Sequence, residues 1–151
     1  MRFFMIDRIN RWEVGVAAEA VKLVALSEDF FDDHFPRRPV MPAVLIVEGM
    51  AQLAGLLLEA SLKERLDKDA KAVLTILEKA TFREMVRPGD MLTYRAEILV
   101  FNDSGGKAQV RAFLGERLVV TTRMVFAFRV VDDPTLEAKR SALLKLWMSP
   151  P

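Results

Sequence analysis

The chain has 151 residues, 52% apolar and 28% charged, a size and composition suited to one soluble globular domain. Its 22 basic and 21 acidic residues leave a net charge of +1, so no overall charge favours nucleic acid. The absence of cysteine excludes disulfides, thiolate metal sites and thiol nucleophiles; it leaves cytoplasm as the default compartment. Met1 to Arg8 has too short an apolar run for a signal peptide and meets Asp7 at once.

Taken in chain order, Phe3 to Asn10 reads as a short helix or turn, and Trp12 to Leu26, loosely alternating and rich in Val and Ala, as the first strand. Ser27 to Pro42 is an ordered loop, stiffened by Pro36, Pro39 and Pro42. Pro42 suits the first turn of a long helix that runs to about Leu66. That helix is apolar on nearly every face until Glu59, Lys63, Glu64 and Arg65 appear, so it is expected to be buried for its first turns and to surface at its end. Ala72 to Phe82 reads as a strand, Arg87-Pro88-Gly89-Asp90 as a turn and Met91 to Phe101 as a strand. Asn102 to Gly106 makes a hairpin tip, followed by strands over Lys107 to Leu114 and Arg117 to Val131. Pro134 opens a C-terminal helix, about 134–148, whose Leu136, Leu143, Leu144, Leu146 and Trp147 are expected to dock on the rest.

One strand, one apolar helix and then a run of antiparallel strands imply an α+β domain: a sheet of about five strands wrapped around one central helix. So few strands cannot cover such a helix completely, and a partner chain is expected to finish the burial. Met41 to Leu58 approaches membrane-spanning length, but Glu48 would sit near the bilayer centre and small residues at 43, 49, 51, 54 and 55 suit packing against protein. No span is expected.

Two residues stand out chemically. His34 is the only histidine, and it sits in His34-Phe35-Pro36-Arg37-Arg38-Pro39-Val40-Met41-Pro42. Glu48 and Gln52 are the only polar side chains between Ala43 and Leu58. A lone histidine is commonly a loop filler, and a buried acid can be structural, paired here with Arg83 or Arg87. One histidine without clustered partners supports no metal site, and there is no Gly-rich nucleotide motif, so no metal or organic cofactor is expected.

The block from His34 to Gln52 resembles the active-site signature of the 3-hydroxyacyl-acyl carrier protein dehydratases, hotdog-fold enzymes of fatty acid synthesis. Met5-Ile6-Asp7-Arg8-Ile9, Phe82-Arg83 with Val86, Pro88-Gly89-Asp90 and Leu92, and the Gly105-Gly106 hairpin resemble further landmarks of that family. The likeness covers about Met5 to Val131 of a single domain over 1–151, leaving the C-terminal extension outside it. It implies a cytoplasmic hydro-lyase that takes (3R)-hydroxyacyl thioesters on acyl carrier protein to trans-2-enoyl thioesters, in fatty acid or related acyl or polyketide synthesis. It also implies a homodimer with a continuous sheet, or a trimer of such dimers, in which His34 of one subunit faces Glu48 of the other.

His34, with an ordinary pKa close to working pH, suits the base that takes the C2 proton. Glu48, expected in apolar surroundings with a raised pKa, suits the acid that protonates or orients the leaving hydroxyl. The resemblance implies that the backbone N–H of Ala43, at the helix start, holds the enolate oxygen. Gln52, one turn after Glu48, can hydrogen-bond its carboxyl. Phe35, with Met41, Met50 and Leu53, is a candidate for the acyl tunnel or for core packing. Arg37 and Arg38, extended by Lys79, Arg83 and Arg87, are a solvated basic group or a contact for the phosphopantetheine phosphate or an acidic carrier protein. Against the family pattern, Arg37 and Ala43 replace usual glycines and Gly49 a usual alanine. Two rival readings remain: a hotdog acyl thioesterase, and a non-catalytic acyl-binding hotdog subunit.

Overall fold

The computed structural model describes residues 4–150. Its strands are β1 (Arg8–Glu13), β2 (Ala17–Leu23), β3 (Lys71–Leu77), β4 (Met91–Phe101), β5 (Gly105–Leu114) and β6 (Arg117–Arg129). Its helices are α1 (Ala43–Leu66) and α2 (Pro134–Trp147), with a 3-10 turn at Asp29–Phe31. The strands form one antiparallel sheet in the order β1-β2-β4-β5-β6-β3. This is the expected sheet wrapped around one central helix, with six strands rather than about five.

The extra strand corrects the reading of the N-terminal third. Arg8–Glu13 is a strand, not a helix or turn, and Trp12 to Leu26 is not one strand but parts of two. Phe3, the first residue of the expected helix or turn, lies outside the described residues. The chain reverses at Gly15, whose φ of +80° favours glycine. The Gly15 N–H donates to Ser61 Oγ at 2.8 Å, which ties this hairpin to α1. Ser61 in turn donates to the Leu57 carbonyl at 2.6 Å. β3 is also shorter than expected. It stops at Leu77, and the chain then leaves the sheet gradually, held to β6 by Glu78 N–H to Arg123 O at 3.0 Å and Arg83 N–H to Val119 O at 2.8 Å.

β5 and β6 bury alternate side chains, the period of strands with one face on a core. Ala108, Val110, Ala112, Val120, Met124 and Phe126 point inward to meet Leu53, Ala54, Leu57, Leu58 and Leu62 of α1. The helix is long and apolar enough to cross a membrane by length and composition alone, yet this face of it lies against the sheet. Helix α1 ends where Asp67 adopts a left-handed conformation (φ 51°) and accepts from Lys63 Nζ at 2.9 Å. The outer face of α1 is not buried within the chain: Val44 is 74% exposed, and Glu48 is exposed too.

Candidate active site

The loop from Ser27 to Pro42 is held at several points. Lys22, buried on β2, pairs with Glu28 at 2.6 Å, and the His34 N–H donates to Phe30 O at 3.2 Å. The Met41 N–H donates to Val86 O at 2.8 Å, fastening the loop to the connection between β3 and β4. That connection ends in a tight turn. The Asp90 N–H donates to Arg87 O at 3.1 Å, Pro88 and Gly89 occupy the central positions, and Gly89 has a φ of +97°, as a type II turn requires. The stretches quoted around His34 and around Phe82 to Asp90 are therefore two sides of one structure.

Between them lies a cleft of about 400 Å³ lined by His34, Met41, Ala43 and Ile46 on one side and by Phe82 to Val86 on the other. His34 is half-buried there, its ring stacked on Phe35 with centroids 4.2 Å apart. Nδ1 lies 2.6 Å from the Val40 carbonyl oxygen. A carbonyl can only accept, so Nδ1 carries the proton, and in the neutral ring Nε2 keeps its lone pair. The Val40 N–H donates back to the His34 carbonyl at 3.0 Å, so the loop closes on itself around the imidazole. Held in this way, the ring can accept a proton at Nε2.

Ala43 lies at the start of α1 and lines the same cleft. Pro42 caps the helix without a side-chain hydrogen bond, leaving first-turn N–H groups and the positive helix end at this position. Asp67 is the one non-glycine residue with positive φ among the described residues, so Arg37 and Ala43 occupy their positions without the strain a lost glycine could bring.

Glu48 lies elsewhere. It lines a second cleft of about 280 Å³ with Gln52 and Leu56 of α1, Arg140, Leu143 and Trp147 of α2, and Phe4. Gln52 Nε2 donates to Glu48 Oε1 at 3.0 Å, while Gln52 Oε1 accepts from the Met5 N–H at 3.1 Å. Gln52 thus bridges the Glu48 carboxyl and the Met5 backbone. Neither Arg83 nor Arg87 forms an ion pair with Glu48 among the described residues. Arg83 lines the other cleft. Glu48 is exposed on α1, not buried as expected.

The structure brings His34 and Ala43 together and Glu48 and Gln52 together, but in one chain the two pairs stay apart. Phe35 is 53% exposed and lines neither cleft. Of the tunnel candidates only Met41 lines one of them; Met50 and Leu53 are core residues. Arg37 and Arg38 are exposed. Sequence reasoning missed two contributors. The wall from Phe82 to Val86 was visible only as part of a second family landmark, and the α2 residues only as apolar positions expected to dock.

The FabA-like domain family matches residues 1–123. The chain belongs to the FabA-like family. It is 40% identical over 126 residues to the 3-hydroxyacyl-[acyl-carrier-protein] dehydratase FabZ of Chlamydia trachomatis, covering 82% of this chain and 81% of that protein. Among solved structures it resembles the dehydratase heterocomplex ApeI:P from Xenorhabdus doucetiae, with a TM-score of 0.66 at 15% identity over 92% of this chain and 90% of that one. A hypothetical thioesterase of Streptococcus pneumoniae solved with coenzyme A has a TM-score of 0.61 at 13% identity, covering 81% of this chain and 84% of that one. At such identities these likenesses establish the hotdog fold alone. The fold hosts both lyases and hydrolases, so the reaction must be argued from the side chains.

Proposed function

We propose that the protein removes water from (3R)-3-hydroxyacyl thioesters carried on acyl carrier protein, as a cytoplasmic homodimer in which His34 of each protomer works with Glu48 of the other. The observation that carries this reading is the His34–Val40 hydrogen bond, which leaves Nε2 as a free base inside a cleft that also holds the start of α1. The strong sequence likeness to a dehydratase supports it. In the reaction, Nε2 takes the C2 proton while the thioester oxygen gathers charge against the Ala43 N–H and the positive end of α1. The C2–C3 double bond forms as the C3–O bond breaks, and the hydroxyl departs as water with a proton given or directed by Glu48. Gln52 keeps that carboxyl aimed. Arg37 and Arg38, both exposed, would meet the acidic carrier protein or the phosphate of its phosphopantetheine arm.

The dimer is favoured by two open surfaces. β3 is an edge strand whose Val73 and Ile76 are 47% and 53% exposed, an unusual amount of apolar surface to leave beside unpaired backbone groups. Antiparallel pairing of β3 with its copy would extend the sheet across both protomers and bring the outer faces of the two α1 helices, with Val44 and Glu48, alongside each other.

Purified protein incubated with 3-hydroxyacyl carrier protein should yield enoyl thioester without free acid or free thiol, read by mass spectrometry. Hydrolysis would instead make it a thioesterase, and binding without turnover would make it an acyl-binding subunit. His34→Ala and Glu48→Gln should each lower the rate by about 10²–10⁴-fold. Refolding the two variants together should restore about one quarter of wild-type activity, because statistical mixing gives mixed dimers in which one of two sites is intact. No recovery on mixing would rule out a site shared between protomers.

A further inference from the structure

Helix α2 lies beyond the residues that match the family, 1–123, yet it forms one side of the cleft that contains Glu48. It is docked at several points. Trp147 is buried and meets Phe4 edge-on, with ring centroids 6.2 Å apart, while Leu143 and Leu144 pack on the core. Arg140 Nη1 donates to Glu59 Oε1 at 3.1 Å, and the same oxygen accepts from the Ala72 N–H of β3 at 2.8 Å. Glu137 pairs with Lys71 at 3.4 Å. Asp133 caps the helix, accepting from the N–H groups of Thr135 and Leu136 at 3.1 Å each. A helix cross-linked in this way to α1 and β3 is a fixed wall.

The cleft it closes is lined by Glu48, Gln52 and Leu56 on the α1 side and by Arg140, Leu143 and Trp147 on the α2 side, with Phe4 completing it. We propose that α2 sets the acyl-chain length the enzyme accepts, with Leu143 and Trp147 forming the surface against which the far carbons of the substrate stop. This rests on the dehydratase reading, since it takes Glu48 to mark the reacting end of the cleft. The substrate class is then a 3-hydroxyacyl thioester whose tail is bounded by this wall. A longer chain must displace Trp147 from its contact with Phe4, and a shorter one leaves apolar surface unfilled.

The test is the ratio of kcat/KM values across carrier-protein thioesters of increasing acyl length, measured on the full chain and on two variants. Trp147→Ala opens the wall and should raise kcat/KM for the longest substrate relative to the shortest by about 10-fold or more, the scale on which an apolar pocket discriminates methylenes. Leu143→Phe fills the cleft and should shift the preference the opposite way. Should Trp147→Ala fail to fold, the Leu143→Phe profile decides alone. A uniform fall at every length, or a profile unchanged from wild type, would overturn the assignment of α2. No dehydration of any length by the wild-type chain would overturn the dehydratase reading instead.

Discussion

Gly49, beside Glu48 on α1, is expected to be irreplaceable even by alanine. A Cβ built there would lie 2.5 Å from Tyr94 Cζ and 2.8 Å from Cε2. Carbon atoms in contact prefer about 3.5–4.0 Å, so the ring would have to retreat by about 1 Å. Tyr94 is completely buried on β4, with Ala20 of β2 and Ala112 of β5 as its neighbours across the sheet. Overpacking of this kind costs about 1–3 kcal/mol, and a clash with ring atoms belongs at the upper end. Replacing glycine by alanine in a helix interior returns about 1 kcal/mol. Gly49→Ala should therefore destabilise the fold by about 2 kcal/mol, read as a lower urea midpoint with unchanged slope. Dehydratase activity should fall with it, because the strain is relieved by moving the turn that carries Glu48. Gly55→Ala on the same helix is the control. Its Cβ would meet nothing closer than Phe126 Cε1 at 3.5 Å, so it should stabilise by about 0.5–1 kcal/mol. If Gly49→Ala left stability at the wild-type level while Gly55→Ala raised it, the packing argument for Tyr94 would be wrong.

The remaining expectations follow from burial and charge. Tyr94 Oη has no hydrogen-bond partner among the described residues, and burial, with a smaller contribution from Asp7, pushes its phenol well above the ordinary range. Tyr94→Phe should therefore raise stability by about 1 kcal/mol in the same urea assay; a loss would reveal a partner for the hydroxyl. Burial raises the pKa of Glu59 above the ordinary glutamate value, against the lowering effect of the Ala72 N–H and Arg140. A raised acid favours folding most when protonated, below its unfolded pKa near 4.5, and that contribution is lost as pH rises through the folded value. The stability of wild type minus that of Glu59→Gln should accordingly decrease from about pH 4 to pH 7; an increase would contradict the burial argument. If β3 pairs with its copy as proposed, Ile76→Lys, placing a charge on that exposed edge, should leave a monomer in sedimentation and abolish turnover, whereas a dimer that persisted would move the interface elsewhere.

Much of this molecule could be read from its residues because local chemistry and tertiary packing agree. The bounds of β4 coincide with Pro88-Gly89 and Asn102-Asp103, and α1 starts after Pro42 and ends at Leu66 as expected. The failure at the N-terminus has a specific cause. Gly15 lies between Val14 and Val16, so the hydrophobic run looked continuous, and only the +80° φ reveals that it reverses. The register of β1 on β2 depends on that turn and on Ser61, 46 residues away in sequence, which no local window contains. The same limit applies to the site. His34 and its proline loop were legible, but the wall from Phe82 to Val86 reaches it through the Met41–Val86 hydrogen bond, a contact between distant segments.

The division of the site between two clefts is a consequence of helix geometry. Successive residues of an α-helix turn by about 100°, so Ile46, which lines the His34 cleft, and Glu48, two residues later, point about 200° apart around the axis. Glu48, Gln52 and Leu56 fall at intervals of four residues on the opposite side, where they line the second cleft together. Within one chain, the amino end of α1 and its acid therefore open into different clefts. If base and acid act on one substrate, the acid has to come from another copy of α1. Val44, 74% exposed, and the open edge of β3 are the surfaces that the proposed second copy would cover. On this argument dimerisation is part of the chemistry, and a monomeric variant that kept its His34 loop intact should bind thioester but leave it hydrated.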